Sequence, residues 1–106
     1  MRFDWENITP RTMAPGFHAR FIHSASMTFA LWEIDAGALL PEHSHMQEQV
    51  TQMVAGAFEL TVDGVTHRLS EGQVVVIPSH ATHSGRALTA CKILDIFSPV
   101  REDYRF

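Results

Sequence analysis

Two histidines and a glutamine lie close together in the segment 37–49. His43 and His45 are separated by one residue, and Gln49 follows His45 by four positions. Side chains alternate between the two faces of a β-strand, so residues an even number of positions apart point to the same side. A continuous strand would therefore turn all three side chains to one face and Glu48 to the other.

A third histidine, His83, follows an apolar run and the turn residue Pro78. Three neutral imidazoles and an amide oxygen suit a divalent transition metal such as Ni, Mn, Fe, Co or Zn. No carboxylate offsets the charge of such an ion, which makes it a strong Lewis acid. We therefore predict one divalent metal, with Glu48 replacing Gln49 as a ligand if a β-bulge shifts the strand by one residue. The predicted ligands are His43, His45, Gln49 and His83.

Short β-strands must position these residues, because the chain has no long helical repeat of apolar positions. Asp63-Gly64 is typical of a two-residue hairpin turn, since both positions need positive φ. The apolar run 73–77 predicts a strand that is buried on both faces. We expect an all-β fold, a small antiparallel barrel or jelly roll over residues 17–106, with residues 1–16 as an extended arm. The expected strands are 17–23, 27–34, 50–55, 58–62, 65–69, 73–77, 82–88 and 91–97.

The composition narrows the class of protein. The 106 residues suffice for one domain, and a net charge of −4 without a basic cluster argues against nucleic acid as a partner. No secretory signal and no apolar stretch of membrane-spanning length is found, so we expect a cytoplasmic protein with no membrane partner. Cys91 is the single cysteine, which excludes an intrachain disulfide and a cysteine-based zinc site.

The order Gly-x5-His-x-His-x3-Gln followed by Gly-x5-Pro-x4-His resembles the two motifs of the cupins, whose barrel is a small double-stranded β-helix. In cupins these positions bind the metal, so the resemblance implies the three histidines above as ligands. The chain departs from the common pattern at Gln49, where cupins usually have Glu. It also has His80 in place of a glycine and Ala87 in place of an asparagine, which bear on turn geometry.

The chain ends in a second segment with polar groups in apolar surroundings. Asp95 alternates with Ile93 and Phe97, so a carboxylate enters the barrel if this face points inward. Alternation alone leaves the opposite orientation open, with Asp95 in solvent. Arg101 could fold back over the barrel opening or form a surface ion pair with an acidic neighbour, Glu102 or Asp103, which contributes little.

This ending, together with His-Ser-His-x2-Glu-Gln, is similar to the pectin-degradation cupins that open the ring of 4,5-unsaturated uronic acids. The resemblance implies that Asp95 carries the proton, that Arg101 binds the substrate carboxylate and that Phe97 lines the pocket. That group also has a pocket glutamine, which has no clear counterpart here. The next inward position after Gln49 is Thr51, which is a further substrate-binding candidate. The implied partner is a small-molecule carboxylate.

Two other functions are compatible with the same residues. One is a cupin dioxygenase acting on a small organic substrate, and the other is a non-catalytic cupin that binds a small ligand. A metal-free sugar epimerase is disfavoured by the ligand set. We also expect a homodimer, because a small barrel has edge strands to cover and the arm carries Phe3, Trp5 and Ile8.

Overall fold

The computed structural model describes all 106 residues, and ten strands form two antiparallel sheets. The six-stranded sheet has the order β1-β2-β3-β10-β5-β8, and the four-stranded sheet has the order β4-β9-β6-β7. This architecture confirms the predicted all-β jelly-roll barrel. The strands are β1 (Arg11–Ala14), β2 (Phe17–His23), β3 (Thr28–Ile34), β4 (Leu39–His43), β5 (Glu48–Ala55), β6 (Phe58–Val62), β7 (Val65–Leu69), β8 (Val74–Ile77), β9 (His83–Ala87) and β10 (Cys91–Ser98).

The core lies between the two sheets and consists of the inward-facing positions of each strand. Strand β10 shows the alternation, because Ile93, Asp95 and Phe97 are buried while the residues between them are only half-buried. Phe58 and Leu60 of β6 face them from the other sheet and are each 3% exposed. Inward-facing residues of both sheets can therefore line one cavity.

Two glycines occupy positions where a larger residue would be strained. In the β6–β7 turn, Asp63 and Gly64 have φ values of 47° and 81°, the left-handed conformation predicted for this hairpin. Gly85 of β9 lies against β6, and a Cβ at this position would be 2.4 Å from the Phe58 ring. The absence of a side chain there lets the large β6 residues fill the core.

The structure differs from the sequence prediction at the edges of the larger sheet. The strand predicted to be buried on both faces is β8, an edge strand in which Val74 and Val76 are 54% and 57% exposed. The apolar run therefore does not mark a central strand, because Val74 and Val76 lie on the outer face of an edge strand. Within the segment expected to be an arm, residues 11–14 form β1, which pairs with β2.

Two 3₁₀ helices, Trp5–Asn7 and Glu102–Tyr104, complete the secondary structure. Neither has the length or the apolar character that crossing a membrane requires. The second helix follows Arg101 directly and lies at the end of the barrel. It therefore helps to position the residues described next.

Candidate metal centre

Three histidines meet at one end of the space between the sheets. His43 ends β4 and His83 begins β9, and the two are direct partners in the sheet. Their ring centroids are 4.1 Å apart, and the ring of His45 is 5.0 Å from that of His83. One potential ligand atom from each of the three residues lies within 4.8 Å of the others.

The predicted continuous strand from His43 to Gln49 is wrong, because β4 ends at His43 and β5 begins at Glu48. The residues between them form a bend, so the orientation of His45 does not follow from strand alternation. Gln49 still points inward and is 7% exposed, because it occupies an inward position of β5. Glu48, the alternative ligand, is exposed on the opposite face.

The bend that carries His45 is held by a turn that precedes β9. The His80 N–H donates to the His45 carbonyl at 2.8 Å, and the Ser79 hydroxyl donates to the Met46 carbonyl. His80 has a φ of 65°, a conformation that favours glycine, at the position where cupins usually have one. Its side chain is exposed, and its place in the structure is that of a turn residue.

The Nδ1 atom of each of the three imidazoles is hydrogen-bonded to a nearby backbone carbonyl. A carbonyl oxygen only accepts, so each Nδ1 carries the proton and each Nε2 keeps its lone pair. His83 Nε2 is fully buried and has no hydrogen-bond partner. No protein atom therefore donates a hydrogen bond to the lone pair of this nitrogen. The three Nδ1 bonds run from His43 to the Pro41 carbonyl at 2.8 Å, from His45 to that of Gln47 at 3.0 Å and from His83 to that of Ala81 at 2.9 Å.

Gln49 completes the cluster with an oxygen atom. Its Oε1 lies 3.0 Å from His45 Nε2, and its amide nitrogen donates to the Thr51 hydroxyl at 3.0 Å. Because His45 donates from Nδ1, two lone pairs face each other at this distance. Two ligand atoms about 2.1 Å from one ion and at right angles to each other are about 3.0 Å apart. The arrangement thus fits a shared metal ion.

Burial favours the neutral form of His45 and His83. It lowers the pKa of His83 to about 4, and the nearby charge of Arg101 adds to the effect of burial in lowering the pKa of His45. Metal binding requires the deprotonated imidazole, so both rings are in the binding form at neutral pH. The residues present fit a divalent transition metal.

Asp95 lies on the wall of the same cavity, which excludes the alternative in which it faces solvent. Its side chain is buried, and the residue is 9% exposed. The Thr51 hydroxyl donates to Asp95 Oδ1 at 2.7 Å, so a chain of hydrogen bonds runs from Gln49 through Thr51 to Asp95. Burial raises the pKa of Asp95 to about 6, although hydrogen bonds from its neighbours oppose the rise.

Arg101 has both of the roles that the sequence left open. Its Nε and Nη2 donate to the Asp103 carboxylate at 2.9 and 2.7 Å, and its side chain is only 11% exposed. The guanidinium carbon lies 4.1 Å from the Tyr104 ring centroid and 4.9 Å from that of Phe97. Arg101 also lines the cavity. Asp103 accepts from Nε–H and from one of the two Nη2 hydrogens, so Nη1 and the second Nη2 hydrogen, which form the other edge of the guanidinium, are not used by Asp103.

The cavity has a volume of about 360 Å³, and 11 of its 18 lining residues are hydrophobic. Seven of the eight predicted site residues line it, and His45 does not: the seven are His43, Gln49, Thr51, His83, Asp95, Phe97 and Arg101. Trp32 also lines the cavity and is not among the residues predicted from the sequence. It is 8% exposed. Its indole N–H faces Asp95 but makes no hydrogen bond of ordinary geometry. The alternation of β3 could have identified this residue, because Trp32 shares its inward face with Thr28 and Ala30.

Comparisons with known proteins agree with this architecture. KdgF from Halomonas sp. is 30% identical, with 97% of this chain and 96% of that chain covered and a TM-score of 0.92. An RmlC-like cupin from Shewanella frigidimarina is 29% identical, with coverages of 94% and 91% and a TM-score of 0.90. SCO3923, an uncharacterized protein from Streptomyces coelicolor, is 28% identical over 90 residues, 84% of this chain and 86% of the relative. The model of the cupin domain matches residues 30–97, more than half of the sequence, and the chain therefore belongs to the cupin family.

Proposed function

We propose that this chain is a metal-dependent enzyme that opens the ring of 4,5-unsaturated uronate monosaccharides to give open-chain keto-uronates. The main supporting observation is a buried carboxyl group, Asp95, in a cavity that is also lined by His43 and His83, two members of the three-histidine cluster. The resemblance of the sequence to the pectin-degradation cupins supports this substrate class. The similarity of the structure to KdgF supports that resemblance.

In this proposal His43, His45, Gln49 and His83 hold one divalent ion, which is Ni, Mn, Fe, Co or Zn. The support is the unpaired Nε2 of His83 and the 3.0 Å separation between His45 Nε2 and Gln49 Oε1. When bound, such an ion supplies Lewis-acid stabilisation to negative charge that develops on substrate oxygens.

Asp95 moves the proton in the proposed reaction. With a pKa of about 6 it is mainly ionised at neutral pH, yet it is a better base than an exposed carboxylate. It accepts the proton of the anomeric hydroxyl group, the bond between C1 and the ring oxygen breaks, and the ring oxygen leaves as an enolate. Asp95 then returns the proton to C4, which yields an aldehyde at C1 and a ketone at C5. The reaction is an isomerisation and needs no other reactant.

Arg101 binds the substrate carboxylate through the Nη1 and Nη2 edge that Asp103 leaves free. Two parallel N–H donors match the two oxygens of a carboxylate. Phe97 forms the wall beside the histidines, where its ring centroid lies 5.6 Å from that of His45. Thr51 supports the reaction indirectly, because its hydroxyl donates to Asp95 and orients it.

The experiment uses the purified protein, stripped of metal and then reloaded with each divalent ion in turn. The substrate is an unsaturated uronate released from pectin or alginate by a lyase. Loss of the ultraviolet absorbance of its conjugated double bond is compared with the rate without protein, because the ring also opens slowly in solution. We expect faster loss only with metal-loaded protein. No acceleration with any of the ions would refute the proposed reaction.

A second candidate function is a cupin dioxygenase for a small organic substrate. The observation that favours it is the largely hydrophobic lining of the cavity, which includes Phe17, Phe58 and Leu60. Such a lining suits a substrate with an apolar part better than it suits a sugar acid. Oxygen dependence separates the two reactions, because ring opening proceeds equally well under anaerobic conditions.

A further inference from the structure

The turn formed by residues 101–104 carries the arginine that lines the cavity. The Tyr104 N–H donates to the Arg101 carbonyl at 3.0 Å and closes this turn, which we call the arginine turn. Two side chains of the turn hold the guanidinium: Asp103 accepts two hydrogen bonds from it, and the Tyr104 ring centroid lies 4.1 Å from its central carbon. The place of the guanidinium in the cavity therefore depends on how the arginine turn is attached to the barrel.

His23 and Thr28 attach the arginine turn to the barrel at both of its ends. The Arg101 N–H donates to the Thr28 hydroxyl oxygen at 2.9 Å, and His23 Nε2 lies 3.1 Å from the Tyr104 carbonyl oxygen. His23 ends β2 and Thr28 begins β3, and the two are direct partners in the sheet. Their side chains also meet, with 2.9 Å between His23 Nδ1 and the Thr28 hydroxyl oxygen. No other hydrogen bond joins residues 101–104 to the strands.

The direction of each hydrogen bond in this pair follows from the Tyr104 carbonyl, which can only accept. His23 Nε2 therefore carries the proton, so Nδ1 of the neutral ring is an acceptor and the Thr28 hydroxyl donates to it. The Thr28 oxygen keeps a lone pair for the Arg101 N–H. Thr28 is 0% exposed, so water cannot replace either of its bonds. One chain of hydrogen bonds thus links the backbone at the two ends of the arginine turn.

We propose that His23 and Thr28 are positioning residues, which set where Arg101 meets the substrate carboxylate. The proposal rests on the ring-opening function proposed above, in which the free edge of the guanidinium binds that carboxylate. Neither residue lines the cavity, so both act through the arginine turn. The Tyr104 ring also packs on Phe21, with 4.7 Å between ring centroids. Apolar packing is not directional, and the two hydrogen bonds set the orientation of the turn.

The attachment is separate from the groups that would carry out the chemistry. Asp95 accepts its hydrogen bond from Thr51, and the three clustered histidines are bonded to backbone carbonyls of their own segments. Two parallel donors must meet two carboxylate oxygens at once, so a small displacement of the arginine turn weakens this contact while the positive charge stays nearby. Loss of the His23–Thr28 pair should therefore raise KM and leave kcat unchanged.

Steady-state kinetics of the metal-loaded full chain with the unsaturated uronate test the proposal. Thr28→Val keeps the shape of the side chain but removes the hydroxyl group, so KM should rise about fivefold or more at unchanged kcat and metal content. Thr28→Ser restores the hydroxyl group and should return KM to nearly the wild-type value. Thr12→Val is the matched control, because Thr12 Oγ1 and His18 Nδ1 form an exposed pair of the same kind, 2.9 Å apart, between β1 and β2.

A double variant shows whether Thr28 acts through Arg101. In the Arg101→Lys background the paired donors are already absent, so adding Thr28→Val should change KM by less than about twofold. A general structural role would instead add its full effect. His23→Phe should act like Thr28→Val, and it keeps an aromatic ring beside Phe21, where the two rings are now stacked. It serves as the second variant if circular dichroism shows that Thr28→Val does not fold.

A measurement without substrate separates this proposal from the proposed function. Nitrogen NMR relaxation gives backbone order parameters at Glu102 and Asp103, which lie within the arginine turn but do not contact the pair. These should fall below the rigid-backbone value of about 0.85 in Thr28→Val and stay unchanged in Thr12→Val. A wild type that does not open the uronate ring refutes the proposed function, and the order parameters then decide the attachment by themselves. Unchanged order parameters, an unchanged KM or a full additional effect in the double variant would overturn the proposal.

Discussion

Replacing Asp95 by Asn separates a catalytic role of this residue from a structural one. Asn has nearly the same shape, and its Oδ1 can still accept the hydrogen bond that the Thr51 hydroxyl donates to Asp95 at 2.7 Å. The substitution removes only the ability to carry a negative charge and to accept a proton. In the proposed mechanism kcat therefore falls by about a hundredfold or more.

The same substitution should make the metal-free protein more stable at alkaline pH. Burial raises the pKa of Asp95 from 3.8 to about 6, so the folded state binds this proton more tightly than the unfolded state. Stability is consequently lost as the pH rises from about 4 to about 6. This difference in pKa corresponds to about 3 kcal/mol of free energy of unfolding. Asn does not ionise, so the variant avoids this cost at about pH 8.

Urea unfolding of the metal-free wild type and variant at about pH 8 and about pH 4 measures this effect. We expect Asp95→Asn to be more stable at the higher pH by up to about 3 kcal/mol and nearly equal to wild type at the lower pH. Glu48→Gln is the matched control, because Glu48 lies exposed on the outer side of β5. Lower stability of Asp95→Asn at about pH 8 would show that the charged carboxylate is structural, and unchanged turnover would show that Asp95 does not carry the proton.

Three further substitutions test other parts of the site and the barrel. Arg101→Lys keeps the charge but loses the paired donors, so KM for the uronate should rise about 10-fold or more while metal content stays unchanged; an unchanged KM would contradict the binding role. His83→Ala should lower the metal content well below one equivalent by elemental analysis, whereas His67→Ala on β7 should not. Gly85→Ala should lower the free energy of unfolding by about 1–3 kcal/mol, because the new Cβ would lie 2.4 Å from the Phe58 ring; equal stability would mean that the ring moves freely.

Eight of the ten strands and most of the candidate site are predictable from the amino-acid sequence; β1 and β4 are not among the predicted strands. Short β-branched stretches between turn residues identify the strands, since alternation and turn chemistry are local properties. Asp63-Gly64 predicts its own left-handed turn for the same reason. The motif spacing also selected His43 and His83, which the sheet then brings together as direct partners.

The way in which distant segments face each other is set by the packing of the whole chain. The bend after β4 orients His45 through hydrogen bonds to the turn at residues 79–80, a contact that strand alternation cannot represent. Alternation permits either face for Asp95, and the packing of the two sheets selects the inner one. The apolar run in β8 has the composition of a central strand, yet the sheet order makes it an edge. Which residues are buried and which strands are neighbours depend on the whole chain, so a local sequence pattern cannot predict them.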